Sequence, residues 1–186
     1  MRYFVTGATG FIGKRLIRKL LASPDSTVWF LQRDTSRARL PDLLAFWGLS
    51  ANAAGRVIPV SGDLLLDGLG ISDETRAALA GRIDHVFHLA AVYDLRAGRA
   101  EQVAANVEGT RRVVALAAGL GARRFHHISS VAAAGMYPGV FREDMFGEAE
   151  HLEHPYFETK HAAEGIVREA CTVPWRIYRP GLVVGD

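Results

Sequence analysis

Residues 6–13 read TGATGFIG, directly behind the apolar run YFVT (3–6) and directly ahead of a stretch with helical spacing. Glycines fall at 7, 10 and 13. Such a triplet carries little information alone, but between a strand and a helix it constrains both the turn and what the turn can hold. Gly7 permits the tight turn out of the strand, Gly10 lets the backbone approach a phosphate, and Gly13 lets the helix pack closely on the sheet. The open N–H groups at the start of that helix would then face a pyrophosphate. The contacts expected from this loop to a dinucleotide are Thr6, Gly7, Thr9, Gly10, Phe11, Ile12 and Gly13.

The rest of the chain alternates. Short β-branched or aromatic runs recur at TVWFL (27–31), RVIPV (56–60), HVFHL (85–89), RFHHI (124–128) and WRIYR (175–179). Helical spacing of apolar residues appears over 11–21, 100–120 and 161–170, with weaker candidates between the second and third and the third and fourth strands. Alternating strand and helix predicts an α/β fold: a Rossmann-type doubly wound parallel sheet with helices on both faces, one dinucleotide-binding domain over 1–186. A length of 186 residues is enough for one sizeable core.

Several functional classes fall away. The formal net charge of +2 is small and evenly spread, so neither nucleic acid nor a membrane surface is expected as a partner. No apolar stretch is long enough to span a bilayer, and no signal peptide is evident, so a cytoplasmic location is expected. The single cysteine, Cys171, excludes an intramolecular disulfide and a Cys-based metal cluster, and reads as a small buried apolar residue. His126 and His127 are adjacent on a strand and point to opposite faces. His151, His154 and His161 lack ligand spacing such as HExxH, so no metal site is expected. The acidic positions 143, 144, 148, 150 and 153 read as a solvated loop, and Trp29, Trp47 and Trp175 as packing residues.

The end of the second strand bears on the choice of dinucleotide. A carboxylate there would bind the ribose 2′-hydroxyl of NAD, whereas arginine favours the 2′-phosphate of NADP. Residues 31–39 read LQRDTSRAR, with Gln32 at the acidic position, Asp34 late and Arg33 and Arg37 near. NADP (NADPH) is therefore expected over NAD, with Arg33 and Arg37 as its phosphate contacts. Arg39 reads as part of a solvated helix face.

HPYFETKHAAE (154–164) places Tyr156 and Lys160 four residues apart, on one face of a helix. In isolation that is an ordinary exposed pair. Ser129-Ser130 alone would be a strand-end cap, and Asn106 alone a helix-cap residue. Behind a dinucleotide loop the set acquires a chemistry. A free phenol has a pKa of about 10. A neighbouring ammonium lowers it and makes Tyr156 a usable general acid or base.

The loop is followed in order by GDL (62–64), HLAAVYDL (88–95), NVEGT (106–110), HISSVAAAG (127–135), YFETK (156–160) and RPGLVVGD (179–186). This ordered set resembles the extended short-chain dehydrogenase/reductase superfamily over the whole length. AAVYDL, NVEGT and PGVFREDMF (138–146) look most like its fatty acyl-CoA reductase and thioester reductase branch, in particular the N-terminal domain of bacterial two-domain acyl reductases. The resemblance implies that Asp63 and Leu64 flank the adenine and that Ala90 and Ala91 line the dinucleotide. It makes Asn106 the residue that steadies the active-site backbone and Ser130, rather than Ser129, the one that orients substrate. Tyr156 and Lys160 match the catalytic YxxxK pair, and Pro180, Gly181 and Val183 pass near the nicotinamide.

The activity so implied is NADPH-dependent reduction of a fatty acyl thioester to an aldehyde, with an alcohol as a further stopping point. The substrate is a small molecule. Hydroxysteroid or dihydroflavonol-type reductases and sugar-nucleotide epimerases share most of these motifs, and a non-catalytic dinucleotide-binding sensor or scaffold is the reading from another class. Relatives pair through helices like 99–119 and 157–170, which allows a homodimer. They also continue beyond the sixth strand to build the substrate pocket, so the expected fold is truncated before that C-terminal part.

Overall fold

The computed structural model describes residues 1–49 and 55–185. Residues 50–54, in the weak helical stretch after the second strand, and Asp186 of RPGLVVGD lie outside the described residues. Six strands form one sheet: β1 (Arg2–Thr6), β2 (Thr27–Gln32), β3 (Val57–Ser61), β4 (His85–His88), β5 (Arg124–Ile128) and β6 (Trp175–Tyr178). Their order is β3-β2-β1-β4-β5-β6, and every pairing is parallel. The order reverses between β1 and β4, which places the crevice of a doubly wound sheet beside the C-terminal ends of these two strands.

Alternation along the strands sorts the core into two layers. Phe4, Val86 and Phe125 face a cluster with Leu79, Val113, Ala117, Ile166 and Val167. These come from α3 (Asp73–Leu79), α5 (Gly109–Gly119) and α6 (Pro155–Ala170). Val5, Val28 and Phe30 face the opposite cluster, with Ile17 of α1 (Phe11–Leu20) and Leu43 of α2 (Leu40–Phe46). Phe4, Phe30 and Phe125 are fully buried, each contributing about 1.5–3 kcal/mol relative to an exposed ring. His126 and His127 do point to opposite faces. His126 stacks on Phe87 of β4 at 4.1 Å, and His127 faces His88 at 5.4 Å.

Two sequence expectations are corrected here. The helix predicted over 100–120 is interrupted: α4 (Arg99–Gln102) runs into a π-helical turn, Val103–Glu108, before α5 begins. Asn106 therefore lies within a wide turn rather than at a helix cap. Its side chain leaves the helix for the β4 loop, a diversion of the kind that accompanies π-turns. The helix expected to carry Tyr156 and Lys160 is present as α6, which begins at Pro155. Proline suits the first helical position, and His154 Nδ1 accepts the Tyr156 amide at 3.1 Å. Second, Trp175 is 39% exposed on the edge strand β6, where the guanidinium of Arg168 from α6 lies over its ring at 5.7 Å. Trp47 is buried, and Cys171 is half-buried against the core. No helix of the described residues is long and apolar enough to cross a membrane.

Candidate active site

The glycine loop leaves β1 with Gly7 at φ 77°, a left-handed conformation that strains a residue with a Cβ. A Cβ on Gly7 would lie 2.7 Å from the Ala90 amide nitrogen, and one on Gly13 would lie 2.0 Å from the Gly7 carbonyl oxygen. Close packing thus requires glycine at both positions. Gly10 N-caps α1 without a side-chain bond, and the first turn contains no acidic residue. The Phe11, Ile12 and Gly13 amides are therefore placed to receive a phosphate. Thr6 is buried at the strand end, Thr9 is half-buried in the loop, and the exposed Phe11 ring lies under the Arg15 guanidinium. The cradle fits a pyrophosphate. Gly13→Ala should weaken dinucleotide binding about tenfold or more by displacing the loop. Fluorescence titration measures this, and an unchanged affinity would mean that the loop is not the contact surface.

At the β2 end, Gln32 is buried and its amide donates to the Ser36 carbonyl at 3.1 Å, bracing the 3₁₀ turn Asp34–Arg39. Asp34 accepts from Ser61 Oγ at 3.0 Å and pairs with Arg37 at 3.0 Å. Of the two arginines expected at a 2′-phosphate, Arg37 is thus already engaged. Arg33 is exposed, and its guanidinium is bonded to no other described residue. At the β3 end, Asp63 Oδ1 accepts the Leu65 amide at 3.0 Å. Leu64 is half-buried against the core, close beside Gly109.

Across the switch point, Asn106 is 2% exposed and brackets the loop after β4. Its Oδ1 accepts the Val92 amide at 2.7 Å, while Nδ2 donates to the Val92 carbonyl at 2.9 Å and to Thr159 Oγ1 at 3.2 Å. The bracketed loop carries the half-buried Ala90 and Ala91, of which Ala90 lies beside Gly7. Ser130 follows β5. Its Oγ accepts the Ala132 amide at 3.1 Å, and its hydroxyl proton has no partner among the described residues. Tyr156 sits half-buried in the first turn of α6. Lys160, one turn on, is 3% exposed and donates to the Ile128 carbonyl at 2.9 Å. Burial lowers the Lys160 pKa to about 8, against an opposing pull from Glu164. The Val131 amide donates to the Pro180 carbonyl at 3.1 Å, so the segment after β6 passes beside Ser130. Gly181 and Val183 are exposed, and Gly185 reaches the Phe11 ring of the glycine loop.

Sequence reasoning missed a buried ionic centre under this site. Glu164, fully buried, accepts from Ser129 Oγ at 3.0 Å, from Arg168 at 3.0 Å and from Arg179 at 2.5 Å. Arg179 also donates to the Met145 carbonyl at 2.7 Å and the Arg142 carbonyl at 3.1 Å, pinning the PGVFREDMF segment to α6. Burial would raise the Glu164 pKa, but the bonds from Arg179, Ser129 and Arg168 outweigh it and hold the carboxyl below its ordinary value. Ser129, engaged with Glu164, is not open to a substrate, whereas the Ser130 hydroxyl proton is. The signal was present as Glu164 four residues beyond Lys160, on the same helix face.

The chain matches the family described as male sterility protein over residues 5–186. It is 35% identical to a linear gramicidin synthase of Brevibacillus parabrevis, covering 98% of this chain and 4% of that protein. It is 27% identical to fatty acyl-CoA reductase wat of Drosophila melanogaster, covering 97% and 42%. The terminal R domain from the myxalamid PKS-NRPS biosynthetic pathway superposes with a TM-score of 0.85 at 29% identity, covering 99% of this chain and 49% of that one. The chain thus spans less than half the length of each. The family match runs through the glycine loop, the Asn106 bracket and the Tyr156–Lys160 helix alike. The chain belongs to the male sterility protein family, in the fatty acyl-CoA reductase and thioester reductase branch of the extended short-chain dehydrogenase/reductase superfamily of NAD(P)-dependent oxidoreductases.

Proposed function

We propose that this chain is the dinucleotide-binding and proton-donating part of an NADPH-dependent reductase of fatty acyl thioesters. The observation that carries the reading is the presence of Ser130, Tyr156 and Lys160 along the same sheet edge as the glycine cradle. A bound reduced nicotinamide supplies the hydride. Tyr156 gives its phenolic proton to the carbonyl oxygen as negative charge develops there. Ser130 donates its hydroxyl hydrogen to the same oxygen, and Lys160, one turn along α6, favours the phenolate left behind. With a thioester the first reduction leaves a hemithioacetal, whose collapse releases a thiol and an aldehyde.

An apolar substrate suits the rim. Tyr93, Leu95, Val131, Met136 and Val140 are all more than half exposed on the loops around the site. Such a concentration of exposed apolar side chains marks a binding surface. The intact Ser130–Tyr156–Lys160 set argues against a sensor or scaffold, which would not need it. A full-length protein should oxidise NADPH with fatty acyl-CoA or fatty aldehyde. Turnover confined to a steroid or a UDP-sugar would overturn the substrate assignment.

Arg33 is the expected source of nucleotide preference. Arg33→Ala should raise the Kd for NADPH about tenfold or more through loss of a charge-assisted bond. The Kd for NADH should stay within about threefold, because no phosphate contact is lost. Parallel titrations decide this, and equal losses for both dinucleotides would remove Arg33 from the phosphate site.

A further inference from the structure

Thr6, His88, Thr110 and Asn106 form a chain of hydrogen bonds in which every proton can be assigned. Thr110 Oγ1 lies 2.6 Å from the Asn106 carbonyl oxygen. A carbonyl cannot donate, so the one Thr110 hydroxyl proton occupies that bond. Thr110 Oγ1 is also 2.9 Å from His88 Nε2. Having committed its proton, it can only accept, so Nε2 carries the hydrogen. Neutral imidazole has a single N–H, which leaves Nδ1 to accept from the Thr6 hydroxyl at 2.7 Å. Thr6 Oγ1 in turn accepts the Ala90 amide at 3.3 Å. His88 is 2% exposed, and burial, reinforced by the Lys160 charge, holds its pKa at about 3, so the ring stays neutral. The chain also extends beyond Asn106. The Asn106 amide donates to Thr159 Oγ1, whose one hydroxyl proton is shared between the Tyr156 carbonyl at 3.3 Å and Gln102 Oε1 at 3.4 Å.

We propose that His88, fixed as its Nε2–H tautomer, is a positioning residue that ties the glycine cradle to Asn106 and, through Thr159, to Tyr156. The β1 end and the Ala90 amide sit at one end of this strut and the first turn of α6, at the Tyr156 carbonyl, at the other. Its consequence for turnover rests on the reductase reading; the strut itself does not. Glutamine can present a carbonyl oxygen to Thr6 and an amide hydrogen to Thr110, about as far apart as the two ring nitrogens. Leucine keeps apolar bulk and loses both bonds.

The test uses the full-length protein. The ¹⁵N spectrum of His88 should report protonated Nε2 and bare Nδ1 at neutral pH; a protonated Nδ1 would overturn the proposal. His88→Leu should lower turnover about tenfold and weaken NADPH binding, whereas His88→Gln should stay within about threefold of the parent in both. A residue that only fills space would show the reverse order, with leucine tolerated and glutamine harmful, and that result would also overturn the proposal. If leucine prevents folding, the glutamine variant and the spectrum still decide. If the parent reduces no thioester or aldehyde, the reductase reading fails, while the spectrum and the NADPH affinities still judge the strut.

Discussion

Tyr156→Phe is expected to lower NADPH-dependent reduction by about 10²–10⁴-fold, the range for removal of a positioned general acid. NADPH affinity should remain within about threefold, because the substitution deletes one oxygen and leaves the ring and helix in place. The α6 start does not depend on the hydroxyl. Pro155 opens the helix, His154 Nδ1 receives the Tyr156 amide, and the Tyr156 ring lies 6.4 Å from that of Phe157. Lys160 also stays put, since its ammonium is held by the Ile128 carbonyl rather than by the phenol. The contrast between lost turnover and retained binding separates a proton donor from a dinucleotide contact. Single-turnover oxidation of NADPH combined with a binding titration measures both. A variant that turned over at the parent rate would remove Tyr156 from the chemistry, and one that lost binding equally would make it a structural part of the cradle.

The sheet was legible because its signals are local. Each β-branched or aromatic run became a strand within a residue or two, and the glycines at 7 and 13 occupy positions where a Cβ would strike backbone. The π-turn inside the helical stretch 99–119 was not legible, for an equally physical reason. Apolar spacing over 100–120 continues across the π-turn and does not register the one wide turn that directs Asn106 toward Val92. Long-range polar contacts were hidden altogether. His88 appeared only as a letter of HLAAVYDL, because its partners Thr6 and Thr110 lie 82 and 22 residues away. Trp175 looked like a packing residue by type, although its place on an edge strand leaves it exposed. The roles proposed for Ser130 and Tyr156 rest on motif order, whereas the ionic centre beneath them needed the tertiary structure.

That centre sets the second large effect. Glu164→Gln should destabilise the protein by about 3 kcal/mol, since breaking a buried ion pair strands the remaining charges. Arg179 loses its carboxylate partner while its guanidinium stays committed to the Met145 and Arg142 carbonyls, and Ser129 loses a charged acceptor. For a chain of this size the thermal midpoint should fall by about 6–12 °C. The sign of the pH dependence follows from the direction of the shift. The folded-state pKa of Glu164 is depressed, so its contribution is fully present above the ordinary value of 4.5 and is lost as pH falls through the folded value. The gap between parent and variant should therefore be complete at neutral pH and close in acid, as followed by thermal unfolding in a pH series. Glu164 also raises the pKa of Lys160 against the effect of burial. Replacing it with glutamine leaves burial less opposed, so the Lys160 ammonium should lose its proton at a lower pH than in the parent. If that ammonium supports Tyr156, the alkaline limb of kcat/KM shifts to lower pH in Glu164→Gln. A destabilised variant with an unmoved limb would confine Glu164 to holding the PGVFREDMF segment on α6. A shifted limb would make the same carboxylate a regulator of proton transfer one helical turn away.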